Sequence, residues 1–234
     1  MAAQGTPTFE ELIAERDRLA RELEEARALA APLGGVGPPV VAEPTRETKL
    51  DLGCGDHCAP GYEGVDLFAE GAPHRIDLLT FPWPWATSSV DALRCSHFIE
   101  HVPMVYVTRG NTYELVQRQG TVDLLLAFFN ECWRILKPNG TMLVVTPALQ
   151  SVRAFQDPTH RRFLPPQFYP YLNVEVRKAN GLDHYLGATC NFSGNANPII
   201  PTELSLLSPE AQQRRFGESW NTVLDWHAVL TAIK

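Results

Sequence analysis

The sequence is short of the features that would send a chain into a membrane, a secretory route or a nucleic-acid groove. No stretch approaches the roughly 20 consecutive apolar residues of a spanning helix. The first residues, MAAQGTPTFEEL, lack the basic-then-apolar pattern of a secretory signal. Basic residues are in deficit, 20 Lys+Arg against 27 Asp+Glu, for a formal net charge of −7. That balance argues against broad binding to nucleic acid or anionic lipid and leaves room only for a local basic patch. The 5 cysteines are odd in number and scattered, so they form no disulfide framework. Cys54 and Cys58 flank His57, but no second close Cys/His pair completes a zinc set, and no metal is expected. The cytoplasm is the expected setting.

What is present suits one α/β domain with additions. The chain has 234 residues, 44% hydrophobic and 20% charged. Residues 1–31 carry a helix, with Thr8 and Glu11 spaced as a capping box. Phe9, Leu12, Leu19, Leu23, Ala26 and Ala30 form a heptad-like seam interrupted at Arg16. Periodicity alone leaves two partners open for that seam, a second subunit in a homodimer or the domain itself. Residues 32–46, rich in Pro and Gly, read as a linker, so the catalytic unit spans 47–234.

Within that unit, strands are expected at Lys49–Leu52, Tyr62–Leu67, His74–Leu78, Val90–Ser96, Thr141–Thr146 and Trp226–Ile233. An amphipathic helix spans Asp123–Leu136 and stops at Pro138 and Asn139-Gly140. This alternation predicts a doubly wound, mostly parallel sheet of the Rossmann-like α/β class. Insertions are expected at about 103–120 and 147–222.

Four segments carry chemistry. Leu50-Asp51-Leu52-Gly53-Cys54-Gly55 runs a strand into a Gly-x-Gly turn, which brings bare backbone near a ligand. A dinucleotide site needs a third glycine, but Cys58 stands there, and Asp56 beside the turn would repel a diphosphate. Acidic neighbours suit a phosphate-free nucleoside bearing cationic groups, as S-adenosylmethionine does. Asp66, ending the second strand, can accept from two ribose hydroxyls; a plain strand-end turn is its alternative. Asp77 can accept from an adenine amine, and Phe81, Trp83 and Trp85 offer apolar rings for stacking or packing. His97, Glu100 and His101 are titratable groups where the fourth strand ends, the edge at which open α/β sheets bind ligands.

The stretches LDLGCG (50–55), GVDLF (64–68), IDLLTFPWPWATSSVDALRCSHFIEHV (76–102) and FFNECWRILKPNGTMLVVTP (128–147) together resemble class I S-adenosylmethionine-dependent methyltransferases of the type 11 group. Segment 151–163, SVRAFQDPTHRRF, resembles that of uncharacterised bacterial and phage members. The resemblance implies a seven-stranded sheet with an antiparallel last strand. It implies Asp51, Gly53 and Gly55 at the methionine end, Asp66 on ribose, and Asp77 with Leu78 on adenine. Cys54, Leu67, Ser96 and His97 complete the expected cofactor set. One departure stands out: the crossover between the first two strands is too short for the usual helix.

Methyl transfer from a sulfonium is an in-line displacement that needs positioning and water exclusion. His97, His101, Asp157 and His160 are the acid/base candidates, and Arg161 and Arg162 can grip an anion. The acceptor wall is expected at Thr146 to Phe168 with the insertion Pro103–Gly120, and Asn180 to Tyr185 is a weaker candidate for the same pocket. A small molecule, a sugar or a modified peptide is the expected acceptor, because no Asp/Asn-Pro-Pro-Tyr/Phe or Pro-Cys motif of the nucleic-acid enzymes is present. Two rivals remain open at this point: a non-catalytic binding protein of the same fold and a nicotinamide-dependent oxidoreductase.

Overall fold

Short apolar runs ending in glycine make the first strands. Lys49–Leu52 (β1) buries Leu50, Asp51 and Leu52, and Glu63–Val65 (β2) pairs with it in parallel. Val90–Ser96 (β3) pairs with the other side of β1, also in parallel. Tyr106–Val107 (β4), Tyr113–Glu114 (β5) and Val122–Asp123 (β6) form a separate small sheet, β5-β4-β6. Then come helix α1 (Leu124–Ile135), strand β7 (Leu136–Pro147), helix α2 (Val174–Ala179) and strand β8 (Phe192–Ile199). Helices α3 (Thr202–Ser205) and α4 (Pro209–Glu218) precede the closing strand β9 (Asp225–Ala232). This computed structural model describes residues 47–108, 111–117, 120–182 and 187–234. The expected N-terminal helix with its seam, the linker 32–46 and residues Asp183, His184 and Tyr185 lie outside the described residues.

The main sheet runs β2-β1-β3-β7-β9-β8. The pairs among β2, β1, β3 and β7 are parallel, while β9 lies antiparallel between β7 and β8. The α/β class, the mostly parallel sheet and the antiparallel last strand are therefore as expected. The strand count is not. Among the described residues the main sheet has six strands, and the expected third strand, His74–Leu78, survives as one bridge, Val65 to His74. Asp66 N–H donates to His74 O and His74 N–H to Gly64 O; the chain then leaves the edge because Asp77 caps a turn, accepting from Leu79 N–H and Thr80 Oγ1. Strand β8 of the main sheet lies inside the expected insertion 147–222. Its FSGNANPI sequence hides it: Gly194 and Pro198 disfavour a strand, but Pro is tolerated on an edge.

The crossover from β1 to β2 has no helix, as the sequence required. Buried Asp51 holds it instead, accepting from Ala59 N–H at 2.8 Å. Arg94, its cross-strand neighbour, donates Nη1 to both Asp51 oxygens at 2.9 and 2.7 Å.

Helix α1 starts on Asp123, whose side chain accepts from Leu125 N–H, and it buries Phe128, Phe129, Cys132 and Ile135 against the sheet. Its polar stripe pins the Trp-rich segment: Glu131 accepts from Trp83 N–H, and Arg134 donates to the carbonyls of Trp83 and Trp85. Trp83 is buried edge-on against Phe128, so its role is packing. No helix among the described residues is long and apolar enough to cross a membrane.

The chain order turns back at β1, which has β2 on one side and β3 on the other. A crevice opens outside the carboxyl ends of strands at such a reversal. The glycine turn, Asp66 and the 97–101 segment all gather there.

Candidate functional site

Two cavities lie along this edge. The first, of about 240 Å³, is lined by the glycine turn at Gly53, by Asp66, Leu67 and Phe68 after β2, by Ile76 to Leu79, and by Phe98. Its floor is the turn after β1. Gly53 has φ +68, and a Cβ there would stand 2.5 Å from the Phe98 ring. Glycine is required for two reasons, the left-handed backbone and the aromatic ring above it. The bare Cα thus receives Phe98.

Asp66 organises this cavity's rim. Its Oδ2 accepts from Gly55 N–H at 3.0 Å, and its Oδ1 accepts from Phe68 and Ala69 N–H at 2.8 and 3.0 Å. Partial burial works to raise its pKa, but these N–H donors outweigh it and hold the carboxyl below its ordinary value. The group is therefore an anion at neutral pH, with lone pairs left for a ligand. Asp77 stands opposite, each oxygen already accepting one local bond. Leu67 and Phe68 are exposed on the rim, and Leu78 is buried behind.

The second cavity, of about 350 Å³, is lined by His97, Glu100, His101, Pro147, Arg153, Gln156, Asp157 and His160. Consecutive residues thus serve the two cavities, Phe98 the first and His97 the second. The chain makes that split by a backbone at φ +54 on His97, an uncommon conformation for a residue with a Cβ. His97 Nδ1 lies 3.2 Å from Glu100 Oε1, and this hydrogen bond raises the imidazole pKa against burial, which lowers it. The loop after β7 closes the far wall. Arg161 and Arg162 N–H both donate to Glu100 O, at 2.7 and 2.9 Å, which brings His160 against His101.

The expected site residues sort accordingly. Gly53, Asp66, Leu67, Asp77 and Leu78 share the first cavity, and His97, His101, Asp157 and His160 share the second. Asp51 lines neither, because it is fully buried in its ion pair with Arg94. Cys54 is half-buried; its thiol donates to Gly55 O, and burial pushes its pKa up to about 11. Ser96 is half-buried at the last pairing of β3 with β7, and Gly55 is exposed with open space above its Cα. Arg162 is a clamp, donating to Val102 O and pairing with Asp123 at 3.0 Å. Phe98 was given no role from the sequence, and Arg153 and Gln156 fell inside the expected acceptor wall without being singled out. Phe98 had a signal, its place beside His97. Arg153 had none, because its partner Asp225 lies 72 residues away in β9.

No known protein-family profile matches the chain. Over 110 residues it is 31% identical to a protein of Mycolicibacterium smegmatis described as a "Probable S-adenosylmethionine-dependent methyltransferase". That match covers 42% of this chain and 37% of that protein, so the chain matches well under half of its relative's length. Among solved structures, an S-adenosylmethionine-dependent methyltransferase from Archaeoglobus fulgidus is 17% identical with a TM-score of 0.48, covering 96% of this chain and 100% of that one. Another from Mesorhizobium loti is 16% identical with a TM-score of 0.41, covering 90% of this chain and 97% of that one.

Proposed function

We propose that this chain is an S-adenosylmethionine-dependent methyltransferase, working in the cytoplasm, that seats its methyl donor between Gly53 and Asp77 and its acceptor beyond His97. The observation that carries the reading is the pair of adjoining cavities divided at His97–Phe98, one acid-rimmed and apolar, the other lined by titratable side chains. The relative from Mycolicibacterium smegmatis supports the same chemistry.

The first cavity fits the methyl donor on chemical grounds. Asp66 is anionic and keeps free lone pairs, which suits two ribose hydroxyls. Asp77 offers an acceptor to an adenine amine, with Leu78, Leu79 and Ile76 as apolar walls. Asp66 beside the glycine turn and Asp77 across the cavity make a negative rim that favours a ligand with ammonium and sulfonium charges and disfavours a diphosphate. When bound, S-adenosylmethionine supplies an electrophilic methyl group. The chain's own task is to hold the acceptor in line and keep water out. Phe98 stands over the glycine turn on the side toward the second cavity, and His97 and Arg153 orient the acceptor from its side. The acceptor is a small molecule, a sugar or a peptide side group.

Calorimetric titration with S-adenosylmethionine tests this. Wild-type chain binds one equivalent, and Asp66→Ala binds far more weakly with its circular dichroism unchanged. A wild-type chain that binds none overturns the reading; equal affinity in Asp66→Ala overturns the ribose assignment.

A further inference from the structure

We propose that Glu100, His101 and His160 form a site for one divalent first-row transition-metal ion at the floor of the second cavity. The coordinating atoms, one from each residue, all lie within 4.8 Å of one another. Three ligands held by one ion at about 2.1 Å stand roughly 3.0–4.2 Å apart, so a small side-chain rotation closes the set.

The hydrogen bonds around the trio leave one carboxylate oxygen unmet. Glu100 is buried, its Oε1 lies against His97, and its Oε2 has no hydrogen-bond partner. A buried carboxylate oxygen without a donor is costly unless something cationic or protic meets it. The two imidazoles do not donate there. His160 Nδ1 lies 2.9 Å from Ala154 O; a carbonyl only accepts, so Nδ1 carries a proton, and Nε2, 3.9 Å from Asp157 Oδ2, is the nitrogen left for a metal. His101 Nδ1 lies 2.9 Å from Thr159 Oγ1, whose single proton goes to Asp157 Oδ1 at 2.7 Å. Thr159 must therefore accept from His101 Nδ1, and His101 Nε2 is also left for a metal. The trio thus brings together one carboxylate oxygen with no hydrogen-bond partner and two imidazoles, each with a ring nitrogen beyond the one that its outer hydrogen bond occupies.

The outer hydrogen bonds match what fixes tautomer and ring angle in metal-bound histidines: a backbone carbonyl on one ring, a hydroxyl–carboxylate relay on the other. Two imidazoles with one carboxylate select a first-row transition ion over Mg²⁺ or Ca²⁺, which favour all-oxygen sets. The remaining coordination positions face a cavity of about 350 Å³, so the site is open, with room for an oxygen of a ligand. Only the identity of that ligand, the methyl acceptor, rests on the function proposed above. Glu100 and His101 come from the short turn after β3 and His160 from the loop after β7, so the site exists only in the native chain.

The test uses the full untagged chain, stripped with chelator and titrated calorimetrically with Zn²⁺ and with Mn²⁺, bound metal being counted by mass spectrometry. One ion per chain is expected. His160→Ala and Glu100→Gln should each weaken binding more than tenfold, and Thr159→Val about tenfold through the relay. Cys54→Ser/Cys58→Ser should bind as wild type, which separates this site from the thiol pair. Co²⁺ loading should give a spectrum of nitrogen and oxygen ligands without thiolate charge transfer. No bound ion, an ion lost with the cysteines, or unchanged affinity in both His160→Ala and Glu100→Gln overturns the proposal. S-adenosylmethionine titration on the same samples keeps the two readings apart: metal bound without the nucleoside sinks the function and leaves the site standing.

Discussion

The two cavities on the sheet's carboxyl edge are assembled by opposite routes. The first draws on strand ends and turns close together in sequence, from Gly53 to Leu79, with Phe98 as its one distant member. Its polar groups are fixed by local bonds, such as Phe68 and Ala69 N–H to Asp66. The second joins the end of β3 to a loop after β7, so Thr159 reaches His101 across 58 residues. The first cavity is thus a cradle made largely of backbone turns, and the second a set of side chains that the scaffold brings together from distant segments.

The contrast can be broken most forcefully at the base of the first cavity. Arg94→Met leaves Asp51 buried and unpaired, and removing one partner of a buried pair costs about 3 kcal/mol at the low end of the usual range. Chemical denaturation should show that loss, together with faster hydrogen exchange at Ala59. An unchanged midpoint would mean that the short crossover does not depend on Asp51.

Asp66→Ala is the next largest. Loss of a charged acceptor for hydroxyl groups costs about 2 kcal/mol, or roughly thirtyfold in nucleoside affinity. The second cavity should keep its metal affinity, and a parallel loss there would erase the distinction between the two sites.

Gly53→Ala sharpens the comparison further. The left-handed backbone alone costs about 1–2 kcal/mol, and the Phe98 ring adds to it. A double-mutant cycle with Phe98→Ala should recover the ring's share and leave the backbone's share in place. Full additivity would show that the ring does not rest on the turn.

Arg162→Ala should act on the acceptor side alone. It removes the Asp123 pair and the bond to Val102 O, for about 1 kcal/mol, and leaves nucleoside affinity within twofold. The smallest expected effect is with pH. The Asp66 carboxyl lies below its ordinary value in the folded chain, so whatever it contributes is fully present above the ordinary carboxylate range and lost only as pH falls through the lower, folded value. Nucleoside affinity should therefore not fall between pH 8 and pH 5 through Asp66. A fall in that window would assign the ribose contact to a different group.

Much of the first cavity was legible because short-range chemistry writes it. A Gly-x-Gly turn after an apolar strand and an acid after the next strand place Gly53 and Asp66 together with no knowledge of packing. Asp51 lies outside the cavity lining because burial, invisible in sequence, turns its carboxylate to Arg94. His74–Leu78 misled because strand propensity cannot show that Asp77 caps a turn and pulls the chain off the edge. β8 was missed because FSGNANPI reads as a loop until β9 supplies its hydrogen bonds.

The α/β class, the helix-free first crossover and the acid-flanked glycine bend followed from the sequence alone, since apolar periodicity and turn chemistry act over a few residues. The convergence of Glu100, His101 and His160, the ring over Gly53 and the Arg153–Asp225 pair were decided by tertiary structure. Each joins segments far apart in the chain, and only the folded sheet sets their separation.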